Sequence, residues 1–161
     1  MLYSGAVKTE PIIDVSLLFD LFVATNRVRR VIEAALADAP LRGEEYAVYS
    51  LLFDHGPMTA TEMRRALGVP LSTMLDHLRS MEYRRHLRRT PHPRDGRAQN
   101  LSLTMAGTAA HRRTNQHWER MRLAFDAALP MPAADVRSAL RALSDAAQSS
   151  LATYEISAQA G

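Results

Sequence analysis

No cysteine occurs in the 161-residue chain. Disulfides, thiolate zinc sites and cysteine-based redox sensing are excluded with it. Aromatic residues are scarce at 6%, so the core must be built mainly from aliphatic side chains and methionine. No apolar run approaches the ~18 residues that a membrane helix needs. The N-terminus lacks a charged segment leading into an apolar one. No membrane association is expected, and the cytoplasm is the expected location. Catalytic signatures are also missing: there is no GxSxG elbow, no GxxxxGK phosphate loop and no GxGxxG turn. The paired acids Glu44 and Glu45 sit at a helix start, where the macrodipole accounts for them. The expectation is a protein that is not an enzyme. Six histidines are present, but no HExxH pair occurs, and His111 and His117 are spaced off a common helix face. Neither metal nor cofactor is expected.

What the chain has in quantity is alanine, leucine and arginine, a composition that favours helices. Hydrophobic residues reach 47%, enough for one folded domain or one intertwined unit. The net charge is only +3, but it is unevenly placed. Residues 62–97 carry nine arginines against four acids, a net +5; the remainder carries eleven basic and thirteen acidic residues, a net −2. A cationic segment of that kind is the electrostatic footprint expected where phosphate is bound.

The local patterns predict an all-helical frame with one hairpin. Residues 1–11 read as a short arm, and Asp14 is placed to cap a helix running to about Asp38. Its apolar stripe (Leu18, Leu21, Thr25, Val28, Ile32, flanked by Leu17, Ala24, Val31 and Ala35) is wide for a helix covering a small domain, so a partner helix is expected to bury the surplus. A second helix spans about Glu44 to His55, and Gly56 fits a left-handed C-cap. Thr59-Ala-Thr-Glu62 is a capping box opening a short third helix that ends at Leu67-Gly68. A fourth helix opens at Pro70 or Leu71. Leu71, Met74, Leu75, Leu78 and Met81 form its apolar face, opposite Ser72, Thr73, Asp76, Arg79, Ser80 and Tyr83. A short helix, a glycine-containing turn and a helix of this type make a helix–turn–helix.

Two short strands follow, His86–Thr90 and Asn100–Thr104, with Asp95-Gly96 as the turn signal between them. The basic run from Arg84 to Arg89 precedes a tip that carries Arg94 and Arg97. A hairpin so placed can hold arginines against a DNA backbone or in a minor groove. Thr104 can cap a fifth helix from about Met105 to Leu129, and Pro130 and Pro132 separate it from a sixth, about Ala133 to Tyr154.

With this order of elements, the chain resembles the multiple-antibiotic-resistance regulator (MarR) family over most of its length. The resemblance rests on Gly56-Pro-Met-Thr59, on Leu67-Gly-Val-Pro-Leu-Ser-Thr73, and on Asp95-Gly-Arg97 followed by Leu101-Ser-Leu-Thr104 and Gly107. It implies a mainly α fold with a small β-wing, a winged helix–turn–helix flanked by N- and C-terminal dimerisation helices. The corresponding division is an arm and dimerisation helix at 1–40, a DNA-binding lobe at 41–104 and dimerisation helices at 105–161. It also implies a homodimer that binds a pseudo-palindromic operator in double-stranded DNA, and a small aromatic or phenolic effector that releases it. Arg97 becomes the wing arginine of the minor groove, and Asp95 the carboxylate that orients it. Ser72 and Thr73 fall at the start of the recognition helix. Ligand-binding residues are not transferred, because no local motif marks them.

Three positions depart from the family pattern. Asp76 stands where an arginine is common; it can accept from cytosine N4, pair with Arg79 or point away. Arg85 replaces the usual glycine before the wing, and Arg42-Gly43 replaces a capping threonine. The expected function is a ligand-responsive repressor, with Ser72, Thr73, Asp76 and Arg79 facing bases, Arg97 in the minor groove, and Arg84, Arg88, Arg89 and Arg94 on phosphates. The alternative is an effector- or protein-binding module that keeps the fold with little specific DNA binding.

Overall fold

The computed structural model describes residues 15–159, with side chains to 153. The chain falls into two compact units, the first running to Trp118 and the second starting at Glu119.

The first unit opens with α1 (Leu17–Ala35). Its cap is Ser16, whose hydroxyl accepts from the Phe19 amide at 3.2 Å; the expected cap, Asp14, lies outside the described residues. The helix stops at Ala35, three residues before Asp38, and its C-cap Leu36 is already buried. Ile32 packs on the core, but no residue within α1 is fully buried, and Leu18 and Phe22 are 74% and 65% exposed. The wide apolar stripe predicted here is thus left largely open on this chain.

Helix α2 (Gly43–His55) supplies the centre of the core through Tyr46, Val48, Tyr49 and Leu52. At its start the Arg42 amide donates to Glu45 Oε2 at 3.2 Å. The arginine side chain has no acceptor to return the bond, so only half of a capping box forms. Gly43 permits close approach to α1, where a Cβ would run into the Ile32 side chain.

Gly56 does not take the expected left-handed conformation; it is extended, with φ −67° and ψ 155°. Its reason for being glycine is steric, since a Cβ would lie well inside contact distance of the Leu52 carbonyl oxygen.

The capping box of α3 (Ala60–Leu67) forms in full. The Glu62 amide donates to Thr59 Oγ1 at 3.3 Å, and Glu62 Oε2 accepts from the Thr59 amide at 2.7 Å. α3 ends in a Schellman motif. Val69 N–H reaches Arg64 O at 3.1 Å, Gly68 N–H reaches Arg65 O at 3.4 Å, and Gly68 sits at φ 66°. Helix α4 (Leu71–Tyr83) then buries Met74, Leu78 and Met81 against the core, while Leu71 stays exposed at the helix start.

The hairpin pairs β1 (Leu87–Pro91) with β2 (Gln99–Leu103), antiparallel, with Arg89 opposite Leu101. Because Leu101 is a non-bonded pair partner of β1, its amide and carbonyl face the other way. Both bond to Met58, at 2.8 and 3.1 Å. The segment before α3 thereby forms a third edge that seats the wing beside the helix–turn–helix, with the Leu101 side chain fully buried. Thr104 caps α5 (Met105–Ala128), its Oγ1 accepting from the Gly107 amide at 3.1 Å.

The second unit holds the end of α5, where Arg122 bridges Glu119 at 2.8 Å and Asp126 at 2.9 Å, and α6 (Ala133–Gln159). Leu123, Met131, Leu140 and Leu151 are exposed along it.

Candidate nucleic-acid interface

The face of α4 opposite the core is a single stripe. Ser72, Asp76, Arg79 and Tyr83 follow steps of four, three and four residues, so they line up along one side of the helix. All four are exposed, with Thr73 and Ser80 half-buried beside them. The reverse side is anchored by the wholly buried Met74 and Leu78. A thirteen-residue helix presents about 20 Å of such a face.

Within this stripe Arg79 Nη1 donates to Asp76 Oδ1 at 2.6 Å, while the two side chains are 72% and 70% exposed. Of the readings open for Asp76, pairing with Arg79 is the arrangement in the free protein.

Between α4 and the wing, the chain reverses at Arg85, which takes φ 57°. His86 N–H reaches Met81 O and Arg85 N–H reaches Glu82 O, both at 2.8 Å. This is the same Schellman motif that ends α3, with arginine where glycine is favoured. The backbone turn therefore survives the replacement of glycine, at a conformational cost of about 1 kcal/mol or more. His86 N–H is spent in this motif, so the strand begins at Leu87 rather than at His86.

The wing tip is a seven-residue loop, longer than a tight two-residue turn. His92 N–H bonds to Ala98 O at 3.1 Å, and inside that closure Ala98 N–H bonds to Asp95 O at 3.0 Å. Two side chains staple the loop. Asp95 Oδ1 accepts from the Arg97 amide at 3.0 Å, so the carboxylate meets Arg97 through its backbone. His92 Nδ1 accepts from the Arg94 and Asp95 amides at 3.3 and 3.1 Å. Arg94 and Arg97 project from this frame, exposed and with no protein partner for their guanidinium groups among the described residues.

Three arginines at the base of the wing are tied to the protein. Arg84 bonds Glu45 at 2.7 Å. Arg89 pairs with Glu82 and reaches Gln99 Oε1 at 3.2 Å. Arg88 Nε makes a long 3.4 Å contact with Ser102 Oγ. The cationic segment is thus partly neutralised at its base and unneutralised at its tip. His92 is a structural residue that the sequence signalled only weakly; its place two and three residues before unpaired loop amides is the mark of a local side-chain acceptor.

Behind the interface lies a polar-aromatic cluster. Tyr49 OH and His86 Nδ1 lie 2.9 Å apart, and Tyr46 OH donates to Asn115 Oδ1 at 2.6 Å. His111 stacks between Tyr46 and Phe53, at 5.2 and 4.3 Å between ring centres, with Nε2 on Ser50 Oγ at 3.1 Å. Its Nδ1 is buried without a hydrogen-bond partner among the described residues. Burial pushes the Tyr49 phenol up to about 12, against a lowering by Arg84. Burial lowers both His86 and His111.

No family model matches the sequence, and no curated protein matches it. Solved structures do. The transcriptional regulator MosR of M. tuberculosis, in complex with DNA, matches with TM-score 0.73 and 19% identity over 84% of this chain and 98% of that one. The repressor CouR, bound to a 23-mer duplex, matches with TM-score 0.68 and 25% identity over 83% of this chain and 92% of that one. PcaV of Streptomyces coelicolor, with its natural ligand, matches with TM-score 0.68 and 24% identity over 83% and 97%. The chain has the winged-helix fold of MarR-type regulators.

Proposed function

From this fold we propose that the protein is a sequence-specific DNA-binding transcriptional regulator that acts as a homodimer on a pseudo-palindromic operator. The observation that carries the reading is the exposed polar stripe of α4, backed by a buried face and flanked by a stapled wing tip with two exposed arginines. Helix α4 enters the major groove, with Ser72, Thr73 and Arg79 at base edges. Arg97 enters the adjacent minor groove, and Arg94 and Arg88 meet phosphates. Arg84 and Arg89 reach phosphate only by exchanging an acidic partner for it. That MosR and CouR are solved on DNA supports this use of the fold.

The homodimer is supported by the exposed apolar residues of α1 and α6, such as Leu18, Phe22, Leu140 and Leu151. Each helix by itself exposes more than a single scattered apolar residue. In a two-fold dimer the half-sites lie about 10 bp apart. The division into an arm with one dimerisation helix (1–40), a DNA-binding lobe (41–104) and further dimerisation helices (105–161) belongs to the same reading. So do repression and release by a small aromatic or phenolic effector, which the ligand-bound state of PcaV makes reasonable.

The test is fluorescence anisotropy with labelled DNA from the gene's own upstream region against a scrambled duplex, over a salt series. Strong preference for the upstream duplex is expected, with log Kd changing by roughly 0.9 per phosphate neutralised for each unit of log salt. Equal, weak binding to both duplexes and to a randomised pool would overturn the reading in favour of a module that binds an effector or a protein.

A further inference from the structure

We infer that Arg79 reads a guanine in each half-site and that Asp76 is the positioning residue that aims it. The inference rests on the DNA-binding reading above and specifies what that surface recognises. An exposed i,i+3 ion pair contributes little to helix stability, so folding does not explain a carboxylate in the middle of this stripe. Its presence there also weakens attraction to phosphate. The pair is neutral as a unit, so Arg79 is a poor general clamp for the DNA backbone.

What the pair retains is donor geometry. Asp76 engages Nη1 of Arg79, which leaves the Nε–Nη2 edge of the rigid guanidinium fork for a second partner. Guanine offers two acceptors, O6 and N7, in the major groove, and bidentate arginine is their commonest protein partner. Arg79 also lies between Ser72 and Tyr83 in the row opposite the buried Met74 and Leu78. That row is the side of the helix that faces base edges when the helix lies in the groove. Fixing one side of the fork beforehand reduces the rotamer freedom lost on binding, which sharpens the choice of base.

The experiment is selection from a randomised duplex pool with the full-length chain, comparing wild type with Arg79→Ala, Asp76→Ala and Asp76→Asn, with melting temperature recorded for each. Wild type is expected to enrich guanine at one position of each half-site. Arg79→Ala removes that preference, a loss of roughly tenfold or more in discrimination. Asp76→Ala weakens the same preference several-fold while raising affinity for random duplex, because a negative charge has left the face. Asp76→Asn, which keeps an oxygen acceptor, retains more of the preference than alanine does. Melting stays within about 2 °C for all three, as for surface changes.

Unchanged guanine preference in Asp76→Ala, or its persistence in Arg79→Ala, overturns the inference. Loss in Asp76→Ala alone would also overturn it, by making the carboxylate the direct reader of cytosine. If wild type itself selects no sequence, the DNA-binding reading falls first, and the wild-type selection alone distinguishes that failure.

Discussion

The Tyr49 hydroxyl lies 2.9 Å from His86 Nδ1 and ties the middle of α2 to the turn between α4 and the wing. Burial raises the phenol to about 12 and lowers the imidazole, so the contact joins a phenol to an imidazole whose tautomer sets which of the two donates. The His86 carbonyl meanwhile accepts from the Thr104 amide at 2.9 Å, and Gly107 packs against His86 so closely that a Cβ would strike its backbone. The start of the wing and the start of α5 are fixed by one residue.

Tyr49→Phe deletes only that hydroxyl. A loss of about 1–2 kcal/mol in urea unfolding at neutral pH is expected, with an unchanged m-value. A variant as stable as wild type would mean that water replaces the hydroxyl at no cost.

The histidines set an acid limit. His86 and His111 have folded-state affinities for protons below their ordinary value of 6.5, so the unfolded chain binds protons first as pH falls. Stability is complete above about pH 6.5 and declines from there down to the folded values. A thermal melt series from pH 7.5 to 5.5 should show falling melting temperature, and His111→Gln should flatten the slope. An identical slope in the variant would remove His111 from the account.

Arg85→Gly relieves a left-handed residue while losing some unfolded-state restraint. The two effects run against each other, and the strain is the larger. A gain of about 0.5–1 kcal/mol is expected by chemical denaturation. Destabilisation would mean that the Arg85 side chain holds more than the backbone strain costs.

Arg97→Ala removes the guanidinium that the wing tip presents, and leaves the Asp95 contact to the Arg97 amide intact. Operator affinity should fall by about 1–3 kcal/mol in anisotropy, with melting temperature and oligomeric state unchanged. Equal affinity would take the wing out of the groove.

Much of the frame was legible because it depends on neighbours in sequence. The Thr59–Glu62 box, the glycine after α3, the buried Met74–Leu78–Met81 face and the threonine before α5 are local devices, and all stand where the pattern put them. The two glycines that end α2 and α3 look alike in sequence but serve different ends: Gly68 for its dihedral, Gly56 for lack of a side chain against Leu52. Only the packed backbone tells them apart. The interface was less legible for the same reason. Nine arginines read as one basic segment, yet Arg84 is neutralised from 39 residues away by Glu45, a partner that no local spacing indicates. Arg89 and Arg79 lose their freedom to nearer acids. Charge counted along the chain overstates the charge offered at the surface.

Glu45 carries two duties on one carboxylate: Oε2 takes the amide of Arg42 at the head of α2, and Oε1 takes the guanidinium of Arg84 at the foot of α4. One side chain thus joins the head of a core helix to the foot of the reading helix across 39 residues of sequence. An Arg84 that turns to phosphate gives up this tie and leaves Glu45 with the Arg42 amide alone.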